Sequence, residues 1–268
     1  MDIARPEFVP DPSLSTAAME TLQRDIAAAA VFSDDHGIDP DDIALDGPVG
    51  QSTLGETVDE SASDADRPLV AGVDQAFDGD DAVSAIVVLR GREVVERASA
   101  VEPTEIPYVP GLLSFREGGA ILSAFAELDH DPDIVLVDGS GRIHYRDAGL
   151  ATHIGVTLDV PTVGVAKNLL CGTPAVSLDR KLAEGERVAI EADDEVETAH
   201  NGTVIGHAVQ SRQYESSNRY VNPLIVSPGH RVSAETAADI VLATAAGYKL
   251  PEPTRLADSY ADSVKGDG

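Results

Sequence analysis

Three carboxylates and a lysine stand where a sheet protein has little structural use for them. Asp74 closes the apolar run that begins at Leu69, Asp138 closes the unbroken run Ile134-Val135-Leu136-Val137, and Glu117 opens the amphipathic stretch between them. Open α/β sheets gather ligands at the carboxyl ends of their strands, so acids there are badly placed for a core and well placed for a site. Three like charges at one sheet edge repel unless a cation holds them together. Mg2+ fits this demand, because it takes oxygen ligands, needs few from the protein, and leaves room for water and a substrate phosphate. One or two such ions would support phosphodiester hydrolysis. Lys167, directly after the apolar run Thr162–Ala166, adds a positive charge for a phosphate, and His230 and His144 are candidates for proton transfer or support. Against this stands an ordinary structural role for each residue alone. An Asp followed by Gly, as in Asp138-Gly139, usually bonds its own turn, and a Lys at a strand end is usually solvated. Three acids in one topology outweigh that reading.

The elements that must position them follow from hydrophobic period. Leu14, Ala17, Ala18, Leu22 and Ile26 mark a helix beginning at Asp11-Pro12, and residues 33–67 read as a long exposed connection. Strands are expected at 69–74, 83–89 and 93–100, the last two around the turn Arg90-Gly91-Arg92. A helix opened by Arg116 and Glu117 then carries Ala120, Ile121, Ala124, Phe125 and Leu128 on one face. A central parallel strand at 134–137, a helix at 148–158 and a buried strand at 162–166 complete an order βββαβαβ. Short pieces at 191–197 and 203–209 suggest an antiparallel addition. Leu224-Ile225-Val226 runs into Ser227-Pro228-Gly229-His230, and Ser233 caps a last helix that Gly247 ends. The fold class is α/β, a ribonuclease H-like fold with a central mixed β-sheet flanked by helices. The expected organisation is an N-terminal helix and acidic connection over 1–68, a catalytic domain over 69–257, and a disordered tail over 258–268.

The composition narrows the class further. With 268 residues there is ample chain for a buried core, no run reaches membrane-span length, and the first residues lack a signal-peptide pattern, so a cytoplasmic protein is expected. The single Cys171 excludes an internal disulfide. Against 19 Lys and Arg stand 47 Asp and Glu, a net charge of -28 spread along the whole chain. Scattered acid points to a surface adapted to a molar-salt cytoplasm, where repulsion is screened within a few ångströms. At low salt the same charge opposes a nucleic-acid partner.

One further stretch, Tyr108-Val109-Pro110-Gly111-Leu112-Leu113-Ser114-Phe115-Arg116-Glu117, sets an aromatic on a Pro-Gly bend just before a helix. With Val70-Ala71-Gly72-Val73-Asp74, Val137-Asp138-Gly139, Gly164-Val165-Ala166-Lys167, Val226-Ser227-Pro228-Gly229-His230 and Leu250–Ala257, it resembles the motifs of the endonuclease V family, in the family's order. The resemblance covers about residues 69–257. It implies a Mg2+-dependent repair nuclease, with Mn2+ as a substitute, acting on DNA that contains deoxyinosine or other deaminated bases; a monomer is expected. The cut would fall at the second phosphodiester bond 3′ to the lesion. It further implies Asp74, Glu117 and Asp138 as the metal site, with Lys167 and His230 assisting at the phosphate. Tyr108, Pro110, Gly111, Arg116 and His144 would form the wedge and DNA contacts. Ser140 and Tyr145 depart from the Asp-Gly-His-Gly and His-Pro-Arg patterns frequent in the family, while His144 and Arg146 keep to them. An inosine-specific RNA endonuclease and a non-catalytic module binding damaged DNA are the alternatives.

Overall fold

The structure, a computed structural model, describes residues 1–50, 66–216 and 220–266. Helix α1 (Thr16–Ala29) is capped by Ser15, whose hydroxyl accepts from the Ala18 amide. It begins later than expected because the Asp11 carboxylate accepts from the Ser13 amide and closes a turn of its own. Met19, Gln23 and Ile26 form its buried face. The connection that follows is less exposed than its composition suggests: Pro40–Ile43 makes a 3-10 turn that buries Ile43, and Val49 is buried too. The stretch 51–65 of that connection lies outside the described residues.

A meander of β1 (Leu69–Asp78), β2 (Asp81–Arg90) and β3 (Glu93–Pro103) comes next. Then follow α2 (Leu113–Ala126), β4 (Ile134–Asp138), α3 (Leu150–Leu158) and β5 (Thr162–Ala166). This is the βββαβαβ order expected from sequence. The antiparallel addition consists of β6 (Thr173–Pro174), β7 (Arg187–Glu191), β8 (Val204–Val209) and β9 (Leu224–His230). The strand expected at 191–197 is instead the end of β7 and a turn, because Asp193 accepts from the Glu195 amide through its side chain and from the Val196 amide through its carbonyl. Among the described residues the nine strands form one sheet in the order β3-β2-β1-β4-β5-β9-β8-β7-β6, with β1, β4 and β5 parallel and the others antiparallel to their neighbours. This is a ribonuclease H-like sheet with added strands.

Side chains alternate across a sheet, so each central strand feeds two cores. Val135 and Val137 of β4 pack with Ala71, Val73, Ile121, Phe125, Leu150 and Ile154 under α2 and α3. Ile134 and Leu136 face the other way, with Val70, Val163 and Val165, toward α4 (Ala234–Thr244). Burial on both faces is why the β4 run is apolar without interruption. Ser233 caps α4 as expected, accepting from the Thr236 amide.

The last element corrects an expectation. Residues 258–266 belong to α5 (Glu252–Gly266), not to a disordered tail. Ala257 and Ala261 are buried, and Leu256 and Tyr260 pack with Val87 and Leu89 on the same face of the sheet as α4. Helical spacing of small and apolar groups, hidden among Asp and Ser, outweighs the polar composition. The start of α5 lies very close to β1: a Cβ on Gly72 would sit 2.0 Å from the Pro253 carbonyl carbon, so only glycine fits there.

Candidate active site

The period of two places the site. Val70, Gly72 and Asp74 point to one face of β1, Ile134, Leu136 and Asp138 to the same face of β4, and Val163 and Val165 continue that face on β5, with Lys167 directly after the strand. Parallel pairing of β1 with β4 runs out at Val73 and Val137, so Asp74 and Asp138 stand side by side just beyond the last pair. Asp74 is within β1 rather than at its end, because the antiparallel hairpin with β2 carries the strand on to Asp78. Lys167 Nζ lies 3.0 Å from Asp138 Oδ2.

Asp74 is 7 % exposed, and burial beside the Asp138 carboxylate, together with a hydrogen bond to it, pushes its pKa up to about 8. Glu117 reaches the site from the opposite layer. It is the fifth residue of α2, past the first turn in which it was expected, because the helix already begins at Leu113. Burial raises its pKa to about 7, Arg116 counteracts this, and Asp138 adds to it. Lys167 is held charged above its ordinary range, chiefly by Asp138. Two further groups escaped the sequence reading. The Asp258 charge on α5 acts on both Asp74 and Lys167, and the Lys249 ammonium feels Lys167. Asp258 was legible only once the helical face of α5 was recognised.

Among the described residues, no three His, Cys, Asp or Glu side chains form a ready-made cage for an ion. The donor chemistry nevertheless suits a hard divalent cation. Asp74 and Asp138 present oxygen only, burial and then the neighbouring Asp138 charge favour a proton on Asp74, and a cation in its place would offset the same costs. This arrangement sets a pH dependence. Asp74 and Glu117 are raised from ordinary values of 3.8 and 4.5, so the stability they contribute is full below about pH 4 and is lost as pH rises through about 7 to 8. Buried His144 and His153, lowered to about 4, act in the opposite sense, and their effect is complete by about pH 6.5. In chelator, the Tm is therefore expected to fall between about pH 6.5 and about pH 8.5, and Mg2+ to restore more of it at the higher pH. A flat profile in chelator would contradict the assignment; differential scanning calorimetry reads it directly.

The segment before α2 forms a second part of the same edge. Val109, Pro110, Gly111 and Leu112 make a turn closed by a 3.0 Å bond from the Leu112 amide to the Val109 carbonyl. Pro110 stands at its second position and Gly111, with φ +81°, at its third, as a type II turn requires. Tyr108, 66 % exposed, and Val109 project from it. Arg116 braces the segment from behind: its guanidinium lies 4.8 Å from the centre of the Phe77 ring and donates to the Ile106 carbonyl.

Two expected site residues are elsewhere. His230 pairs with Thr162, whereas Asp138 pairs with Val165, three residues or about 10 Å farther along β5. Because β9 runs antiparallel to β5, the end of β9 lies at the opposite edge of the sheet, where His230 is fully buried between Asp159 and the Val31 amide. His144 does lie at the site edge, but it is 3 % exposed and both ring nitrogens are bonded, so it supports the turn from inside instead of meeting DNA at the surface. Tyr145, one of the departures, packs beneath Gly111.

The family model for endonuclease V matches residues 52–259. The chain is similar to endonuclease V of Haloarcula marismortui, with 70% identity over 264 residues, 97% of this chain and 96% of that one. Among solved structures it is similar to endonuclease V of Streptomyces avermitilis, with a TM-score of 0.71 and 29% identity, covering 100% of this chain and 99% of that chain. It shares the fold of Ciona intestinalis endonuclease V in complex with a 24mer DNA containing an inosine followed by a ribo-adenosine, with a TM-score of 0.68 and 23% identity over 94% and 98% of the chains.

Proposed function

The chain belongs to the endonuclease V family, and we propose that it is a DNA repair endonuclease that hydrolyses the second phosphodiester bond 3′ to a deoxyinosine, using Mg2+. The observation that carries this reading is the shared face of Asp74 and Asp138, with Lys167 paired to Asp138, at the sheet edge that also bears the exposed Tyr108 turn. A divalent cation held by Asp74 and Asp138, with Glu117 and Asp258 adding negative charge nearby, would supply positive charge at the scissile phosphate and acidify an attacking water.

The protein's own groups do the rest. Lys167, tethered by Asp138, offers its ammonium to the phosphate oxygens as charge builds on them. Tyr108 fills the space left by a base drawn out of the stack, a step that costs a few kcal/mol and is easiest at a poorly paired base such as inosine. Pro110 and Gly111 fix the bend on which it stands, and Arg116 braces that bend. The net charge of -28 makes association with DNA depend on screening, so the assay belongs in molar KCl.

A single-turnover nicking assay on a deoxyinosine duplex tests the proposal. A Mg2+-dependent nick at the stated bond is expected, and none on the same duplex without the lesion. Tyr108→Ala should weaken lesion binding roughly tenfold while the rate at saturating enzyme stays within about twofold. No Mg2+-dependent nick would overturn the enzyme reading, and faster cutting of a matched inosine oligoribonucleotide would reassign the substrate to RNA.

A further inference from the structure

The recognition turn is anchored from α1, through one polar side chain placed on an otherwise apolar face. Gln23 is 1 % exposed and lies between Met19 and Ile26 on the buried side of the helix. Its Nε2 donates to the Gly111 carbonyl at 2.7 Å, and its Oε1 accepts from Arg146 Nη1 at 3.1 Å. The same Gly111 carbonyl lies 3.1 Å from His144 Nε2. A carbonyl only accepts, so that nitrogen carries the proton, and the Arg146 amide donates to His144 Nδ1 at 3.2 Å. One orientation of the amide and one tautomer of the ring satisfy every bond.

Each end of this set is secured. Arg146 Nη2 lies 2.6 Å from Glu20 Oε1, one turn before Gln23 on α1. Met19, Leu112 and Phe115 pack together with Leu14, Leu22 and Ile106, so apolar contacts from α1 grip both flanks of the turn. The carbonyl that α1 holds belongs to the positive-φ residue of the turn, the position that decides where Tyr108 and Val109 project. A buried amide with both ends used is costly to leave unmatched, and a residue serving only to fill space there would be apolar.

We infer that Gln23 of α1 is a positioning residue for lesion recognition, holding the Gly111 carbonyl so that Tyr108 is presented to the DNA in one fixed pose. This rests on the proposed function only in giving Tyr108 its target; the anchoring itself is a property of the free protein.

Two measurements separate these layers. Amide hydrogen exchange over 106–112 in the free protein, compared between the parent and Gln23→Met, reads the anchoring without any substrate. Exchange is expected to rise about tenfold there and to stay unchanged in β4 and β5. Lesion-duplex binding is then measured for Gln23→Met, Tyr108→Ala and the double variant. Gln23→Met should weaken binding about tenfold alone and less than twofold in the Tyr108→Ala background, since residues acting through one another are not additive. A variant that is only less stable would lose binding equally in both backgrounds, and that result, like unchanged exchange, overturns the inference. Should Gln23→Met fail to fold, Gln23→Glu keeps the acceptor for Arg146 and sets an oxygen against the Gly111 carbonyl, and the same two readouts apply. Faster exchange in a protein that shows no preference for inosine would leave the anchor intact and overturn the proposed target instead.

Discussion

Replacing Asp138 with alanine is expected to lower the single-turnover nicking rate by about a thousandfold, the upper end of what one electrostatic group contributes. Asp138 is the residue through which the site is connected: it shares a hydrogen bond with Asp74, pairs with Lys167 at 3.0 Å, and adds its charge to the field at Glu117. Removing it would deprive the proposed cation of one ligand and leave Lys167 untethered. It also removes a like charge from beside buried Asp74, so the same variant should melt no lower than the parent in chelator. Loss of rate with retained stability is the signature to look for, using nicking at saturating enzyme and thermal unfolding. A rate within tenfold of the parent would sink the assignment of the site.

Lys167→Met should cost about a hundredfold in the same rate, with binding of the lesion duplex much less affected. The lysine side chain is 53 % exposed, so its ion pair adds little to folding, and melting should be almost unchanged. Lys167→Arg restores charge with a planar, forked donor set in place of a compact ammonium and should recover only part of the loss. If Lys167→Met instead lowered binding and left the rate alone, the ammonium would be a general DNA contact and not a group that acts as charge develops.

Much of this was readable from residue types alone. The uninterrupted run at 134–137 demanded a strand covered on both faces, and Asp74, Asp138 and Glu117, closing two strands and opening the helix between them, pointed to one sheet edge; that Asp74 and Asp138 share a face follows only from the pairing register of β1 and β4. The Pro110-Gly111 pair announced its turn. What failed did so for particular reasons. His230, after Pro228-Gly229, was a candidate for proton transfer that the family resemblance set at the phosphate, but β9 continues through it, and the reversed direction of that strand carries it to the far edge. Helix α5 was concealed because its apolar stripe is built largely of alanine among acids, and Asp258 was concealed with it. Gln23 gave a signal of another kind, a polar residue inside an apolar helical stripe, which acquires meaning only when its distant partner, Gly111, is known.

The close seating of α5 on β1 over Gly72 makes that glycine a pivot for the charge of the site. The Asp258 charge reaches Asp74 and Lys167 from a helix that docks at a distance no residue larger than glycine allows. A side chain at position 72, though it carries no charge of its own, would lever the helix outward and thin the acidic field around Asp74.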